Sequence, residues 1–158
     1  VPNPIDLTGP ITEAVNGAAE RGHPVVIAYV DDSGYPATSF RGSAQVYSPT
    51  QLAVWARKPD EGLARCVARR PEVTLLYYGP GTATKFLSFR GRARVDPDAR
   101  DAVYGNMVEL ERKADPDRAG VAVVIDVEQV IGRGANGQIN QRSASSSSAG
   151  YPRPENSM

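Results

Sequence analysis

The spacing of apolar positions changes several times along the chain, and each change predicts an element. Ile11, Ala14, Val15, Ala18 and Ala19 recur at helical spacing, predicting a helix over 8–21 that Thr8 caps and Gly22 ends ahead of Pro24. Residues 25–30 form a β-rich run and Asp31-Asp32-Ser33-Gly34 supplies a turn. The chain then returns over 35–47 as one long strand, bent near Arg41-Gly42-Ser43, where glycine in a strand pattern favours a bulge. After Ser48-Pro49-Thr50, a short strand covers 52–56, with Leu52 and Val54 alternating with Gln51 and Ala53. Arg57, Lys58 and Pro59 break it. Asp60 is placed to cap a helix over 61–70, with an apolar stripe of Leu63, Cys66 and Val67 and a stop at Pro71. A continuous apolar strand follows over 72–78, broken by Gly79-Pro80-Gly81. Residues 84–95 alternate, with Phe86, Ser88, Arg90, Arg92 and Arg94 on one side and Leu87, Phe89, Gly91, Ala93 and Val95 on the other. The arginine face is read as solvated. Asp96-Pro97-Asp98 starts a helix whose buried stripe is Val103, Met107 and Leu110, and 121–131 is the last strand.

About six strands with hairpin-type links predict an antiparallel sheet that curls to cover its edges. The fold class is therefore mainly β (α+β), a small antiparallel barrel with about three peripheral helices. Residues 1–131 form the domain. Residues 132–158 lose periodicity, carry a serine run and read as a Gly/Ser-rich tail, flexible or packed on a partner subunit.

Composition narrows the function. The 158 residues include 18 basic and 18 acidic side chains, so no basic field recruits nucleic acid, and no apolar stretch approaches a membrane span. Cys66 is the only cysteine, which fits a reducing compartment, and residues 1–10 show no secretory pattern. The expectation is a cytoplasmic protein. His23 is the only histidine, so no zinc site of His and Cys ligands can be assembled in one chain, and no metal is expected. His23 beside Pro24 reads as structural or exposed, and Cys66 as core packing, so nucleophilic triads lack members. Gly132, Gly134 and Gly137 match G-x-G-x-x-G but precede no helical pattern, a chance match.

The most suggestive chemistry lies where Arg57 and Lys58 leave a strand just before a helix N-terminus. Two cations, free backbone N–H groups and a helix dipole can there face one phosphate. The same residues equally suit a solvated turn. Thr38, Ser39, Phe40 and Arg41, the corner Trp55-Ala56-Arg57-Lys58, and aromatics such as Tyr78 and Phe86 together suit a planar phosphorylated cofactor. A strand edge would hydrogen-bond the ring and the basic corner would take the phosphate. The hard chemistry would then belong to the cofactor, which removes the need for acid–base side chains.

Three runs in succession, VVIAYVDDSGYPATSF, QLAVWARKPDEGLARCVARRPEVTLLYY and FLSFRGRARV, resemble the flavin-binding split β-barrel family. That family includes the pyridoxamine 5′-phosphate oxidase-like proteins and the flavin/deazaflavin oxidoreductases. The resemblance implies a homodimer with FMN or the deazaflavin F420 between two barrels, and hydride transfer to or from a small organic substrate. It places Thr38, Ser39 and Phe40 along the ring, Trp55 and Ala56 beside the phosphate-bearing chain, and Arg57 with Lys58 on the phosphate. Many family members carry an Arg-Lys pair where this chain has Gly62 and Leu63, so its basic pair comes earlier. The tail has no counterpart of the substrate-binding C-terminal segment of true pyridoxamine 5′-phosphate oxidases, which argues against vitamin B6 oxidation. A non-catalytic module that binds or stores a flavin, F420 or haem is the alternative, because acid–base residues are scarce.

Overall fold

A computed structural model describes residues 1–144. The elements are α1 (Pro10–Gly17), β1 (Val25–Val30), β2 (Pro36–Arg41), β3 (Gln45–Ser48), β4 (Gln51–Ala56), α2 (Gly62–Val67), β5 (Glu72–Tyr78), β6 (Phe86–Val95), α3 (Arg100–Asn106), α4 (Glu109–Ala114), β7 (Val121–Gly134) and β8 (Gly137–Arg142), with a 3-10 turn at Pro97–Ala99. All eight strands belong to one antiparallel sheet of order β2-β1-β5-β6-β7-β4-β3, with β8 also on β7. The fold is mainly β, as expected.

β2 and β3 stand at opposite ends of that order, yet only Gly42, Ser43 and Ala44 separate them in the chain. Three residues reach roughly 10 Å, so the sheet must curl until its two ends meet. The ends are not paired as strands. The barrel is therefore split rather than closed. The single bent strand expected over 35–47 is in fact two strands, and the bend at Arg41-Gly42-Ser43 is the corner between them.

β7 organises the sheet. One edge pairs with β6 along its length, while the other takes β4 at Val121–Asp126 and β8 at Gln129–Gly134. The register shifts where Gly91 lies against the Asp126 carbonyl, because no side chain fits between the strands there. The division placed at residue 131 falls inside β7, and the segment after it begins as a hairpin. Ala135-Asn136 make the loop, Gly137 takes φ 103°, and Ile139 packs on the core. The chance G-x-G-x-x-G is thus a hairpin turn. The serine run lies outside the described residues.

The main core fills the curled sheet with Ile27, Leu52, Val54, Leu75, Leu87, Phe89 and Ile125. α1 closes it with Ile11, Ala14 and Val15, and α2 with Leu63, Ala64 and Val67. A second cluster joins Ala53, Trp55, Ala122 and Val124 on the outer face to Val103 and Tyr104 of α3 and to Met107 just after it. β4 is thereby buried on both faces, which explains its unbroken apolar run.

Several helix details differ from expectation. Thr8 does not cap α1; its hydroxyl donates to Asp6, and Pro10 starts the helix after Gly9. α2 spans six residues, and Glu61 rather than Asp60 precedes it, with no side-chain cap. The single helix after Asp96 breaks at Met107–Val108 into α3 and α4, which resets the periodicity and leaves Leu110 77% exposed. That makes four α-helices among the described residues, where about three were expected. The Asp96 cap holds, accepting from Asp98 N at 3.0 Å. Arg90, Arg92 and Arg94 are exposed as expected, with Arg92 paired to Glu72 and Arg94 to Asp126. No helix among the described residues is long and apolar enough to cross a membrane.

Candidate functional site

A cleft of about 650 Å³ opens where β4 ends, a volume in the usual range for small-molecule sites. It brings together Arg41, Ala56, Arg57 and Lys58 from the sequence-derived set. Glu61 and Asp115 add carboxylates at its wall, and neither was foreseen.

Arg41 reaches the cleft from the end of β2. Its Nε is buried and has no hydrogen-bond partner among the described residues, an orphaned donor of the kind a bound oxyanion satisfies. Burial pulls its pKa down from the ordinary arginine value, and neighbouring Arg57 adds to this, while Tyr29 and Glu111 oppose it. Arg57 and Lys58 are exposed, and Lys58 meets Glu61 at 3.5 Å. An exposed pair of this kind contributes about 0–1 kcal/mol, so Lys58 can exchange it for a ligand. With only six residues, α2 adds little dipole, and attraction for an anion rests on the three cations.

Trp55 does not line this cleft. Alternation along β4 turns its ring to the outer face, edge-on to Tyr104 with centroids 5.2 Å apart. Its indole Nε1 donates to Asp115 Oδ2 at 2.9 Å, and its backbone N donates to Ser43 Oγ at 2.9 Å. Asp115 also accepts from Ala119 N at 3.0 Å and Gly120 N at 2.9 Å, so both oxygens of its buried carboxylate are engaged. Burial is the largest influence on its pKa and pushes it up. The N–H donors of Ala119, Trp55 and Gly120, with the charge of Arg57, outweigh burial and hold it below the ordinary carboxylate value.

Gly120 lets the Asp115 loop lie on the corner. A Cβ there would overlap the Ala56 carbonyl and stand 2.6 Å from Trp55 Nε1 and 2.9 Å from Arg57 Cα. Gly120→Ala is expected to destabilise the fold by about 2 kcal/mol, read as a lower denaturant midpoint at unchanged slope.

Thr38, Ser39 and Phe40 lie outside the cleft on β2, an edge strand. The Ser39 hydroxyl is buried without a partner among the described residues, and Phe40 is 74% exposed. Tyr78 and Phe86 pair across β5 and β6 and are exposed on the open face of the sheet, away from the cleft lining. His23 is exposed, edge-on to Tyr78. Cys66 is buried as expected; burial first, then Asp32, pushes its thiol pKa up. Among the described residues no cluster of three or more His, Cys, Asp or Glu is placed to hold a metal ion.

The class that this curled, unclosed sheet defines is the split β-barrel fold of pyridoxamine 5′-phosphate oxidase-like proteins. A pyridoxamine 5′-phosphate oxidase-related, FMN-binding protein of Nostoc punctiforme superposes with a TM-score of 0.61 at 16% identity, over 82% of this chain and 83% of that one. HupZ of Group A Streptococcus gives 0.57 at 14% identity, over 80% and 94%. An F420 reductase gives 0.51 at 19% identity, over 67% and 86%. At these identities the likeness is one of fold. No protein-family model and no curated protein sequence matches the chain.

Proposed function

We propose that the chain binds FMN or F420 at the cleft and serves as a flavin- or deazaflavin-dependent oxidoreductase for a small organic substrate. The observation that carries this reading is the convergence of Arg41, Arg57 and Lys58 on one cleft, with the buried Arg41 Nε lacking a partner. These three side chains would hold the phosphate by charge-assisted hydrogen bonds. The β2 edge, with Thr38, the orphaned Ser39 hydroxyl and Phe40, would border the ring. The bound cofactor supplies hydride transfer, and the chain supplies binding and orientation. Similarity of fold to an FMN-binding protein and to an F420 reductase supports the same class of ligand.

A homodimer is part of this proposal. Phe40, Val26 and Leu76 align across β2, β1 and β5, and Leu76 and Tyr78 are 46% and 62% exposed. An apolar row on an open sheet face suits burial against a second copy. Sedimentation equilibrium giving a monomer would remove this element. The lone buried Cys66 supports a reducing compartment, the cytoplasm.

One observation favours a second reading, a non-catalytic binding or storage protein. The buried carboxylate at the cleft, Asp115, is held by three N–H donors, and Glu61 stands exposed in a weak pair with Lys58. The deciding experiment titrates the purified protein with FMN, F420 and haem while recording visible absorption. Saturable binding of FMN or F420, followed by reduction with a nicotinamide nucleotide, supports the oxidoreductase. Binding without reduction or turnover supports storage. A haem band moves the function to haem handling, and no binding by any of the three removes the proposal.

A further inference from the structure

We infer that Asp115 is a positioning residue that holds the basic corner in register for a phosphate monoester, an inference that rests on the anion-binding reading of the cleft. Arg57 and Lys58 follow directly on β4, so their placement depends on how rigidly Trp55 and Ala56 are held. Two polar groups grip Trp55. Ser43 Oγ accepts from its backbone N at 2.9 Å and donates to its carbonyl at 3.3 Å. Asp115 Oδ2 accepts from its indole at 2.9 Å. The same oxygen accepts from Gly120 N, whose Cα face lies against the Ala56 carbonyl and Arg57 Cα. One carboxylate thus ties the side chain before the corner to the loop that covers the corner. Tyr104 completes the frame, donating from its hydroxyl to the Asp115 carbonyl at 2.9 Å.

Asp115 also carries a negative charge at the wall of a cleft argued to bind an anion. Charge and positioning therefore make opposite demands. If Asp115 acted only through charge, neutralising it would tighten anion binding. If it acts by holding the corner, neutralising it loosens binding, because the amide of asparagine presents N–H groups toward at least one of the donors it must accept from. Positioning is the stronger effect here, since the charge is already compensated by three N–H donors and Arg57.

The test compares wild type with Asp115→Asn well below their melting temperatures. FMN affinity should fall on the order of tenfold in the variant, the scale of losing a supporting residue behind a binding site. Competition by inorganic phosphate should weaken in parallel. Amide exchange at Trp55 to Lys58 should accelerate while exchange in β5 and β6 stays unchanged. The one indole N–H resonance, from the only tryptophan, should move upfield. A purely structural residue would lower the melting temperature without this local exchange pattern or the loss of affinity. Should Asp115→Asn fail to fold, Trp55→Phe keeps an aromatic ring in the apolar cluster while removing the indole donor along with part of the ring system; weaker FMN binding is again expected. Unchanged or tighter FMN binding in a folded variant overturns the inference. If wild type binds neither FMN nor phosphate, the cofactor reading falls, and unchanged exchange at the corner then overturns the positioning role independently.

Discussion

Replacing Arg57 and Lys58 together by alanine is expected to weaken FMN binding roughly a hundredfold. Each charge-assisted contact to phosphate contributes about 1.5 kcal/mol or more, and two such losses amount to about 3 kcal/mol. Both side chains are exposed, so the fold should tolerate the change with little loss of stability. The measurement is a paired titration: absorption or fluorescence for affinity, and thermal unfolding without ligand as the control. An affinity unchanged from wild type would remove both residues from the site and leave the corner as a solvated turn. Arg41→Ala is the informative companion. Its guanidinium is half-buried with an orphaned Nε, so it should weaken binding while also disturbing the end of β2.

Asp115→Ala is expected to cost about 3 kcal/mol of stability near neutral pH, because the Trp55 indole and the Ala119 and Gly120 amides lose their acceptor together. The wild-type contribution has a defined pH dependence. A folded pKa below the unfolded value of about 4 stabilises the native state above that value and loses the contribution as pH falls through the folded pKa. Urea midpoints of wild type and variant should therefore differ most above about pH 5 and approach one another under acid. Parallel pH profiles would mean that the Asp115 carboxylate is no more stabilised in the native state than in the unfolded chain.

Much of this architecture is legible in residue order. The alternation in Phe86–Val95 places Leu87, Phe89 and Ala93 inward and the arginines outward, and the structure has them so. The short apolar run at 52–56 marks a strand, while its burial on both faces departs from the alternation read for Leu52 and Val54 against Gln51 and Ala53. Helical spacing at Ile11, Ala14, Val15 and Ala18 identifies the buried side of α1. Failures cluster where local pattern is weak or interrupted. Leu110 continues an apparent stripe from Val103 and Met107, but a break at Val108 turns it to solvent. β8 carries one large apolar residue, Ile139, too few for periodicity to register, and it forms because β7 offers an edge.

For the cleft the division is sharper. Arg57 and Lys58 are conspicuous as a basic pair between a strand and a helix, and that pairing is a property of adjacent residues. Arg41, a candidate from the polar strand before it, and Asp115, not among the candidates, reach the same cleft from positions far away in the chain. No spacing rule links 41, 57 and 115. Strand and helix identity, the alternation of faces and the position of the basic pair follow from short-range sterics and hydrophobic periodicity, which act within a few residues. Which distant side chains share a cavity depends on the curl of the sheet, and that curl is a sum over pairings between separated strands. The three-residue corner at Gly42–Ala44 brings the two ends of the sheet together, and with them Arg41 to Arg57. Only the folded sheet makes them neighbours.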